Sequence, residues 1–249
     1  MIEISTFYIK SEQIDGENIS IIGNDVKHIK NVLRYKVDDE LEVCDENEVR
    51  YKTRITRFLE EEILLEIVEV SEKNTEMSVV VDLYQGLPKS DKMDMIVQKN
   101  TELGINKVVP VLTERVIVKI ENSNEKKKLD RWNKIASEAA KQSGRQKIPI
   151  VENIENLENI VENLSKYDIV IVPFECEKDK SLKMALKNKE KKHQSIAIII
   201  GPEGGFSDKD ITMLENLSNV VKVSLGQRIL RTETAGIATL AMILYEYEL

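Results

Sequence analysis

The pattern of apolar and polar positions changes near residue 72. From Ser78 onward, short apolar runs rich in β-branched residues alternate with stretches whose apolar positions recur every three or four residues. Such alternation is typical of buried strands and amphipathic helices in a parallel α/β sheet. The predicted strands are 79–84, 107–112, 168–174, 195–200 and 220–225; the predicted helices are 90–103, a helix from about 129 that ends at 144, 153–166, 207–217 and one that starts near 232.

The first 72 residues have a different pattern, with four predicted strands and one short amphipathic helix over 24–34. The strands are 19–22, 40–44, 49–57 and 63–70. In the third strand apolar residues alternate with the cations Arg50, Lys52 and Arg54, which predicts a half-buried sheet with basic outward positions. That arrangement suits RNA, and it equally suits an edge strand protected by charge. We expect a β-rich domain over 1–72 and an α/β domain over 73–249, joined at the polar segment 71–76.

Two predicted strands end in glycine. Residues 195–200 run into Gly201-Pro202-Glu203-Gly204-Gly205, and residues 220–225 run into Gly226. Glycine lets the backbone turn sharply and lets a ligand approach it closely. Loops at the carboxyl ends of parallel strands are where α/β sheets bind ligands, so the two loops predict one pocket. Neither the Rossmann nor the P-loop glycine motif occurs.

Two further features concern the helices that follow these loops. Ser207 and Asp210 have the spacing of a capping box, which predicts that a helix begins there. From Ala235 to Tyr245 the last helix is apolar on nearly every side, so we expect it to be buried by other parts of the chain or by a second subunit. A homodimer is the expectation that follows.

Composition narrows the class of protein. The chain has 249 residues, of which 41% are hydrophobic and 32% charged, as in ordinary globular proteins. The sequence has no apolar run of membrane-spanning length, no signal-peptide pattern and no paired cysteine motif. We therefore expect a cytoplasmic protein without a metal site. The net charge of −8 disfavours nucleic acid as a partner, whereas local clusters of Lys and Arg favour it.

Several motifs together resemble a known family. Residues 200–207 read I-G-P-E-G-G-F-S and residues 224–235 read S-L-G-x-R-I-L-R-x-E-T-A. Weaker matches are H-I-x-x-V-L-R at 28–34, Q-K-x-T-E-L-G at 98–104, T-E-R at 113–115, and the E-A-x-x-Q-S-x-R run at 138–145. This set resembles the RsmE family, which methylates N3 of a uridine in 16S ribosomal RNA of the small subunit. The resemblance implies a SPOUT-type α/β domain with a C-terminal trefoil knot, preceded by a PUA-like β-barrel domain that binds RNA.

The resemblance also implies S-adenosylmethionine as the cofactor. The two glycine loops would offer backbone groups to its adenosine, Leu225, Ile229 and Leu230 would enclose the adenine, and Glu175 or Glu203 would face its positive charge. The predicted cofactor-binding residues are Glu175, Gly201, Glu203, Gly204, Ser224, Leu225, Gly226, Ile229 and Leu230.

For the chemistry, Arg231 is the predicted stabiliser of the uracil anion that forms when the N3 proton leaves. Glu233, Glu102 or a water molecule would accept that proton, and the sequence does not choose among them. The predicted RNA contacts are His28, Lys30, Arg34, Arg54 and Arg145. Thr6 stands before Phe7-Tyr8 where the family usually has a basic residue, so one family contact is absent.

Two alternatives stay open at this point. A non-catalytic RNA-binding factor for ribosome assembly would use the β-rich domain and would have no affinity for the cofactor. A methyltransferase of the same fold could modify another position, such as a ribose hydroxyl or a tRNA base. The intact glycine loops argue against the first alternative, and identification of the product excludes or supports the second.

Overall fold

A computed structural model describes residues 6–72, 74–117, 122–187 and 193–248. These residues cluster into two compact units, one of residues 1–76 with 140–147 and the other of residues 77–139 with 148–249. The predicted helix and strand classes are observed in both units, and the α/β parallel sheet is confirmed. The predicted boundary at residue 72 stays a prediction.

The first unit is a curled six-stranded sheet with strand order β1-β4-β5-β6-β3-β2, mostly antiparallel. Its strands are β1 (Thr6–Tyr8), β2 (Ile14–Asp15), β3 (Asn18–Ile22), β4 (Glu40–Cys44), β5 (Arg50–Phe58) and β6 (Glu62–Ser71). The predicted helix 24–34 is a short α1 (Asn24–Lys27) continued by a π-helical turn (His28–Leu33). Its buried Val26 and Ile29 pack on a core that the sheet lines with Phe7 and Leu41.

The predicted alternation of β5 is only partly correct. Two register shifts interrupt its ladder with β6, one between Lys52 and Thr53 and one after Ile55. Arg50, on the same face as Lys52, is nevertheless not an outward cation: it is buried, forms an ion pair with Glu42 at 2.8 Å and donates to the carbonyl of Gly144. These contacts with residues distant in the chain bury the cation, and a strict period of two cannot anticipate them.

The second unit is built on a parallel sheet with strand order β10-β8-β7-β12-β11-β13, to which β9 adds beside β8. Its strands are β7 (Val80–Gly86), β8 (Lys107–Leu112), β9 (Ile150–Val151), β10 (Glu155–Asn156), β11 (Ile169–Pro173), β12 (Ser195–Ile200) and β13 (Val220–Val223). Its helices are α2 (Lys92–Glu102), α3 (Asn122–Ser143), α4 (Leu157–Leu164), α5 (Leu182–Leu186), α6 (Asp208–Glu215) and α7 (Thr232–Glu248). The last turn of α3 belongs to the first unit. Apolar cores lie on both sheet faces, which explains the unbroken apolar runs of its strands.

The starts and lengths of single helices can be compared with the predictions. Ser207 and Asp210 form the predicted capping box at the start of α6. The predicted helix 153–166 is shorter and less exposed than expected, because β10 precedes it and Leu157, Ile160 and Leu164 of α4 are buried. Within the described ranges, no helix is both long enough and apolar enough to span a membrane. The knot that the family resemblance implies stays a prediction.

In the single chain, the predicted burial of α7 is observed on one face, and cover of the other face by a second subunit stays a prediction. Its inner face packs on α2, β7 and β12 and includes Leu240 and Ile243. Its outer face leaves Met242 43% and Tyr245 70% exposed. The apolar residues of this outer face are therefore in contact with water in an isolated chain.

The backbones at the ends of β7 and β12 approach one another closely. A Cβ added to Gly86 would lie 2.6 Å from the Pro202 nitrogen and 2.8 Å from the carbonyl carbon of Gly201. Both neighbours are backbone atoms, which cannot move aside as a flexible side chain can. Residue 86 must therefore be glycine for the two strand ends to approach one another.

We expect Gly86→Ala to lower the free energy of unfolding by roughly 1–3 kcal/mol or more, since overpacking forces a backbone shift. Gly236→Ala, in α7, is the matched control. Its Cβ would meet ordinary contacts at 3.5–3.6 Å, and a helical alanine is favoured over glycine by about 0.5–1 kcal/mol. Chemical denaturation should show that the two substitutions change the free energy of unfolding in opposite directions. Equal stability of the two variants would contradict the packing argument.

Candidate active site

The loops that follow the parallel strands converge at the carboxyl edge of the second unit's sheet. The loop after β12 lies against the end of β7 through the Gly86 contact. The loop after β8 reaches the same place, because Arg115 Nη1 donates to the carbonyl of Gly204 at 3.1 Å. The start of α7 joins them through Thr232. The two glycine loops predicted to form one pocket are thus neighbours.

Thr232 connects three of these segments with one hydroxyl group. It donates to the carbonyl of Gly201 at 2.6 Å and accepts from Gln85 Nε2 at 2.9 Å. Gln85 is fully buried, and its Nε2 also donates to the carbonyl of Gly86 at 2.9 Å. Leaving buried polar groups of this kind unpaired costs free energy. These hydrogen bonds therefore fix the first glycine loop relative to the residue that follows the second.

The loop of residues 201–205 is a tight turn. The amide of Gly205 donates to the carbonyl of Pro202 at 2.9 Å, and Gly205 has φ 68°, a conformation that glycine adopts without strain. A Cβ on Gly201 would lie 3.2–3.3 Å from Gly205 and Phe206, so this position too is restricted to a small residue. Gly204 is exposed beside Arg115.

The second loop, 224–231, is more open. Gly226 has φ 118°, and a Cβ there would meet no atom within 4 Å. Leu225 is half-buried against the core, whereas Ile229 is 81% exposed. Ser224 is held by its amide, which donates to the carbonyl of Lys180 at 2.8 Å. An isoleucine so exposed, beside open space, is free to contact a ligand.

Three charged side chains meet beside the first loop: Glu203, Lys92 and Glu233. Lys92 Nζ lies 2.9 Å from Glu203 Oε1 and 3.3 Å from Glu233 Oε2. Glu203 also accepts from the backbone amide of Lys89 at 3.1 Å. Burial disfavours its charged form, but these donors outweigh burial and the pKa of Glu203 is lowered. The hydrogen bond to Glu203 is the main reason that the pKa of Lys92 is raised.

Glu233 and Arg231 differ in their surroundings although they are two residues apart. The Glu233 side chain is 9% exposed, and its Oε2 has no hydrogen-bond partner among the described residues. The Arg231 side chain is exposed, and its carbonyl accepts from Thr234 and Ala235 at the start of α7. The helix thus anchors the Arg231 backbone and leaves its guanidinium in solvent.

The structure places two of the predicted carboxylates differently. Glu102 is the last residue of α2, so it lies about 15 Å along the helix from Lys92, and it pairs with Lys99 at 2.8 Å. Glu175 follows β11 at the correct edge of the sheet but is exposed. Sequence spacing placed Glu102 in a motif and could not show which end of the helix faces the loops.

The candidate RNA contacts in the first unit also divide into two groups. His28 and Arg34 are exposed, and Arg34 adopts φ 57° at the end of the π-helical turn. Arg145 is buried and forms a forked pair with Glu76, so it is not available to a phosphate. Lys30 donates to the carbonyl of Leu59 and, at 3.2 Å, to that of Glu60, which makes it a structural link between segments.

The fifth candidate, Arg54, is intermediate between these groups. Its guanidinium lies 3.6 Å from a carboxylate oxygen of Glu40 and is 43% exposed. Glu40 is shared with Lys52 at 2.9 Å. A phosphate would therefore compete with a surface ion pair, which is worth little, and could displace it.

Four residues of the site were missed by sequence reasoning: Gln85, Lys92, Arg115 and Thr232. Arg115 and Thr232 lie within recognised motifs and Gln85 and Lys92 lie outside them, but none carries a spacing that indicates its partner. Only the contacts across loops reveal them. No group of three or more His, Cys, Asp or Glu side chains that could hold a metal ion occurs within 6–72, 74–117, 122–187 and 193–248.

Comparison with known proteins agrees with this geometry. The family profile described as RNA methyltransferase domain matches residues 75–244, and the one described as RNA methyltransferase PUA domain matches residues 21–68. The fold and the converging glycine loops, together with these matches, define the class as RNA methyltransferases.

Individual relatives narrow the class. The chain is 34% identical to the ribosomal RNA small subunit methyltransferase E of Bacillus subtilis over 96% of this chain and 94% of the relative. A Mesomycoplasma hyopneumoniae protein of the same name is 32% identical over 93% of this chain and 95% of its own. The chain belongs to the ribosomal RNA small subunit methyltransferase E family.

Two solved structures have the same fold over 98% of both chains. The Neisseria gonorrhoeae ribosomal RNA small subunit methyltransferase E, bound to S-adenosyl methionine, is 29% identical with a TM-score of 0.79. A Legionella pneumophila methyltransferase in complex with SAM is 28% identical with a TM-score of 0.84.

We expect Thr232→Val to lower the free energy of unfolding by about 1–3 kcal/mol, because it removes the hydrogen bonds of this hydroxyl to the buried Gln85 amide and to the Gly201 carbonyl. Thr234→Val is the matched control, since Thr234 is exposed on the same helical turn, and its effect should stay within about 0.5 kcal/mol. Equal denaturation midpoints for the two variants would show that the hydroxyl does not hold the loops together.

Proposed function

We propose that this protein methylates N3 of a uridine in 16S ribosomal RNA of the small subunit, with S-adenosylmethionine as the methyl donor. The observation that carries the proposal is the junction of both glycine loops through Thr232, with Arg231 and Glu233 on either side of that junction in sequence. The names of the relatives in Bacillus subtilis and Neisseria gonorrhoeae support the ribosomal RNA substrate and the cofactor.

The residues at the two loops fit the proposed cofactor. Open space above Gly226 and the exposed Gly204 leave backbone groups within reach of a ligand. Leu225, Leu230 and the exposed Ile229 supply apolar surface for an adenine ring. We therefore propose Gly201, Gly204, Ser224 and the segment 225–230 as the cofactor-binding residues. S-adenosylmethionine, when bound, would supply an electrophilic methyl group.

Glu203 and Glu175, the two residues predicted to face the positive charge of the cofactor, have different surroundings. Glu203 is already paired with Lys92, so its charge is not free to attract the cofactor, and we assign it a role in the charged cluster instead. Glu175 is exposed at the carboxyl edge, where it could face a cationic ligand.

The chain's own residues would act on the proton and the charge of the substrate. N3 of uridine is a poor nucleophile until it loses its proton. We propose that Glu233 accepts that proton, since it is the buried carboxylate of the site, and Glu102 lies at the far end of α2. We propose that the Arg231 guanidinium stabilises the negative charge that develops on the uracil carbonyls.

N3 lies on the Watson–Crick edge, so the target uridine must be unpaired or flipped out to react. We propose that residues 1–72 form the RNA-binding domain and residues 73–249 the knotted methyltransferase domain, as the matched profiles over 21–68 and 75–244 support. His28 and Arg34 are the candidates whose side chains are exposed for contact with RNA. The expected place of action is the cytoplasm.

We also propose that the protein acts as a homodimer. The exposed Met242 and Tyr245 and the half-buried Ala238 lie along the outer face of α7, at the spacing of one helical stripe. Met95 of α2, the helix that packs beside α7, is 42% exposed as well. A second copy of this face would remove these side chains from water across a two-fold axis.

For the dimer, Ala238→Arg combined with Met242→Arg should yield monomers at micromolar concentration, because two buried unpaired charges would face each other. Glu162→Arg on the exposed side of α4 is the control and should leave the sedimentation coefficient unchanged. A wild-type protein that sediments as a monomer would contradict the dimer.

For catalysis, we expect Arg231→Ala to lower the single-turnover rate roughly 10²–10³-fold, as loss of a comparable electrostatic donor does. Cofactor affinity measured by calorimetry should stay near wild type, since the role belongs to the transition state. Raising the pH should recover part of the rate, because uridine then ionises without help. Loss of cofactor binding would instead make Arg231 a brace of the loop.

The nature of the product tests the proposal as a whole. Unmodified small subunits treated with the protein and labelled cofactor should contain 3-methyluridine when their nucleosides are analysed by mass spectrometry. A different methylated nucleoside would move the protein to another substrate position. No label in any RNA, with the cofactor bound, would favour a non-catalytic RNA-binding role.

A further inference from the structure

Lys92 stands in the first turn of α2 between two carboxylates that come from separate parts of the chain. Glu203 belongs to the loop after β12, and Glu233 belongs to the first turn of α7. The distances from Nζ are 2.9 Å to Glu203 and 3.3 Å to Glu233. One ammonium group therefore serves two acids, and neither pairing could be read from the sequence.

The two acids depend on Lys92 to different degrees. Glu203 has a second source of hydrogen bonds in the amide of Lys89, and its side chain is 27% exposed. Glu233 is 9% exposed, and within the described part of the chain Oε2 has only the ion-pair contact with Lys92. Burial without a counter-charge favours the neutral form of a carboxyl group. The charge of Glu233 therefore depends on Lys92 far more than that of Glu203 does.

Other charged groups on the elements around Glu233 are paired elsewhere, exposed or several helical turns away. From α2, Lys99 is engaged with Glu102 at the opposite end of the helix. From α5, Lys183 is exposed; on α7 itself, Glu246, Tyr247 and Glu248 lie more than three turns away. In β7, Asp82 contacts Asn106 and Lys107, and Tyr84 bonds Tyr167. Arg231, just before α7, and Lys89, just before α2, both have exposed side chains.

We propose that Lys92 is a positioning residue for the reaction, because it keeps the Glu233 carboxylate ionised and oriented. Glu203 limits this effect, since it competes for the same ammonium group. The proposal rests on the role of Glu233 as proton acceptor given above. A carboxylate that is too strongly paired is a weak base, and one without a counter-charge is protonated at neutral pH. Glu233 shares the ammonium group with Glu203 and does not hold it alone.

The proposal predicts opposite shifts for two substitutions. In Lys92→Met, the buried Glu233 loses its counter-charge, so its pKa rises and it stays protonated to higher pH. In Glu203→Gln, the ammonium is free to turn to Glu233 and one neighbouring negative charge is gone, so the Glu233 pKa falls. The acid limb of the pH–rate profile should follow in the same directions, to higher pH in the first variant and to lower pH in the second.

The first measurement needs neither cofactor nor RNA. Carbon-13 NMR titration of the glutamate carboxyls in the free protein, with the Glu233 signal assigned from Glu233→Gln, should show the pKa of Glu233 raised by at least about one unit in Lys92→Met. It should be lowered in Glu203→Gln and close to wild type in Lys92→Arg. Lys99→Met is the matched control, because it removes a Lys–Glu pair from the same helix outside the site.

The second measurement is single-turnover methylation of unmodified small subunits across pH. We expect Lys92→Met to be at least about tenfold slower at neutral pH and to recover as the pH rises, with the acid limbs displaced as described. Lys92→Arg should restore most of the rate, and Lys99→Met should match wild type. Thermal denaturation identifies variants that fail to fold, and Lys92→Arg keeps the test informative if Lys92→Met does.

The outcomes separate this inference from the proposed function. An unmoved Glu233 titration in both Lys92→Met and Glu203→Gln would overturn the inference, whatever the protein methylates. A shifted titration with an unshifted acid limb would also overturn it, because Glu233 would then not be the proton acceptor. A wild-type protein that makes no 3-methyluridine would sink the proposed function, while the titration would still decide whether Lys92 controls the charge of Glu233.

Discussion

The close approach of Gly86 to the backbone at Ile200–Pro202 is the constraint on which the site depends. Without a side chain at residue 86, the ends of β7 and β12 come within van der Waals contact. That contact brings the loop of residues 201–205 beside Gln85, whose side chain reaches Thr232. The start of α7 and its two charged residues are thereby placed next to the glycine loop. The absence of a side chain at residue 86 therefore allows the end of β7, the loop of residues 201–205 and the start of α7 to meet.

Electrostatics within this edge of the sheet follow from the same contacts. Three acidic or basic groups of one small region form a connected cluster, in which Lys92 is shared and Glu233 is the most buried member. Burial raises the cost of charge, so each group's ionisation depends on its neighbours.

The distribution of charge also reconciles an acidic protein with an RNA substrate. Several basic side chains that seem available in the sequence are engaged within the protein: Arg50 with Glu42, Arg145 with Glu76, and Lys30 with backbone carbonyls. Others remain exposed, among them Arg34 and Arg57 in the first unit. Net charge therefore says little about which cations can meet a phosphate, because pairing within the fold decides which cations remain free.

Periodicity in the sequence determined the class of fold, the order of most helices and strands, the capping box at Ser207 and the position of the two glycine loops. These are local properties, set by side-chain spacing and by backbone freedom within a few residues. Long-range contacts decided the rest. Contacts with Glu42 and Gly144 buried Arg50, the direction of α2 carried Glu102 away from the loops, and the packing of α7 left one apolar face in solvent. Lys92 joins two acids more than 100 residues further along the chain. No local pattern encodes such a pairing, since it exists only where separate segments meet at the edge of the folded sheet.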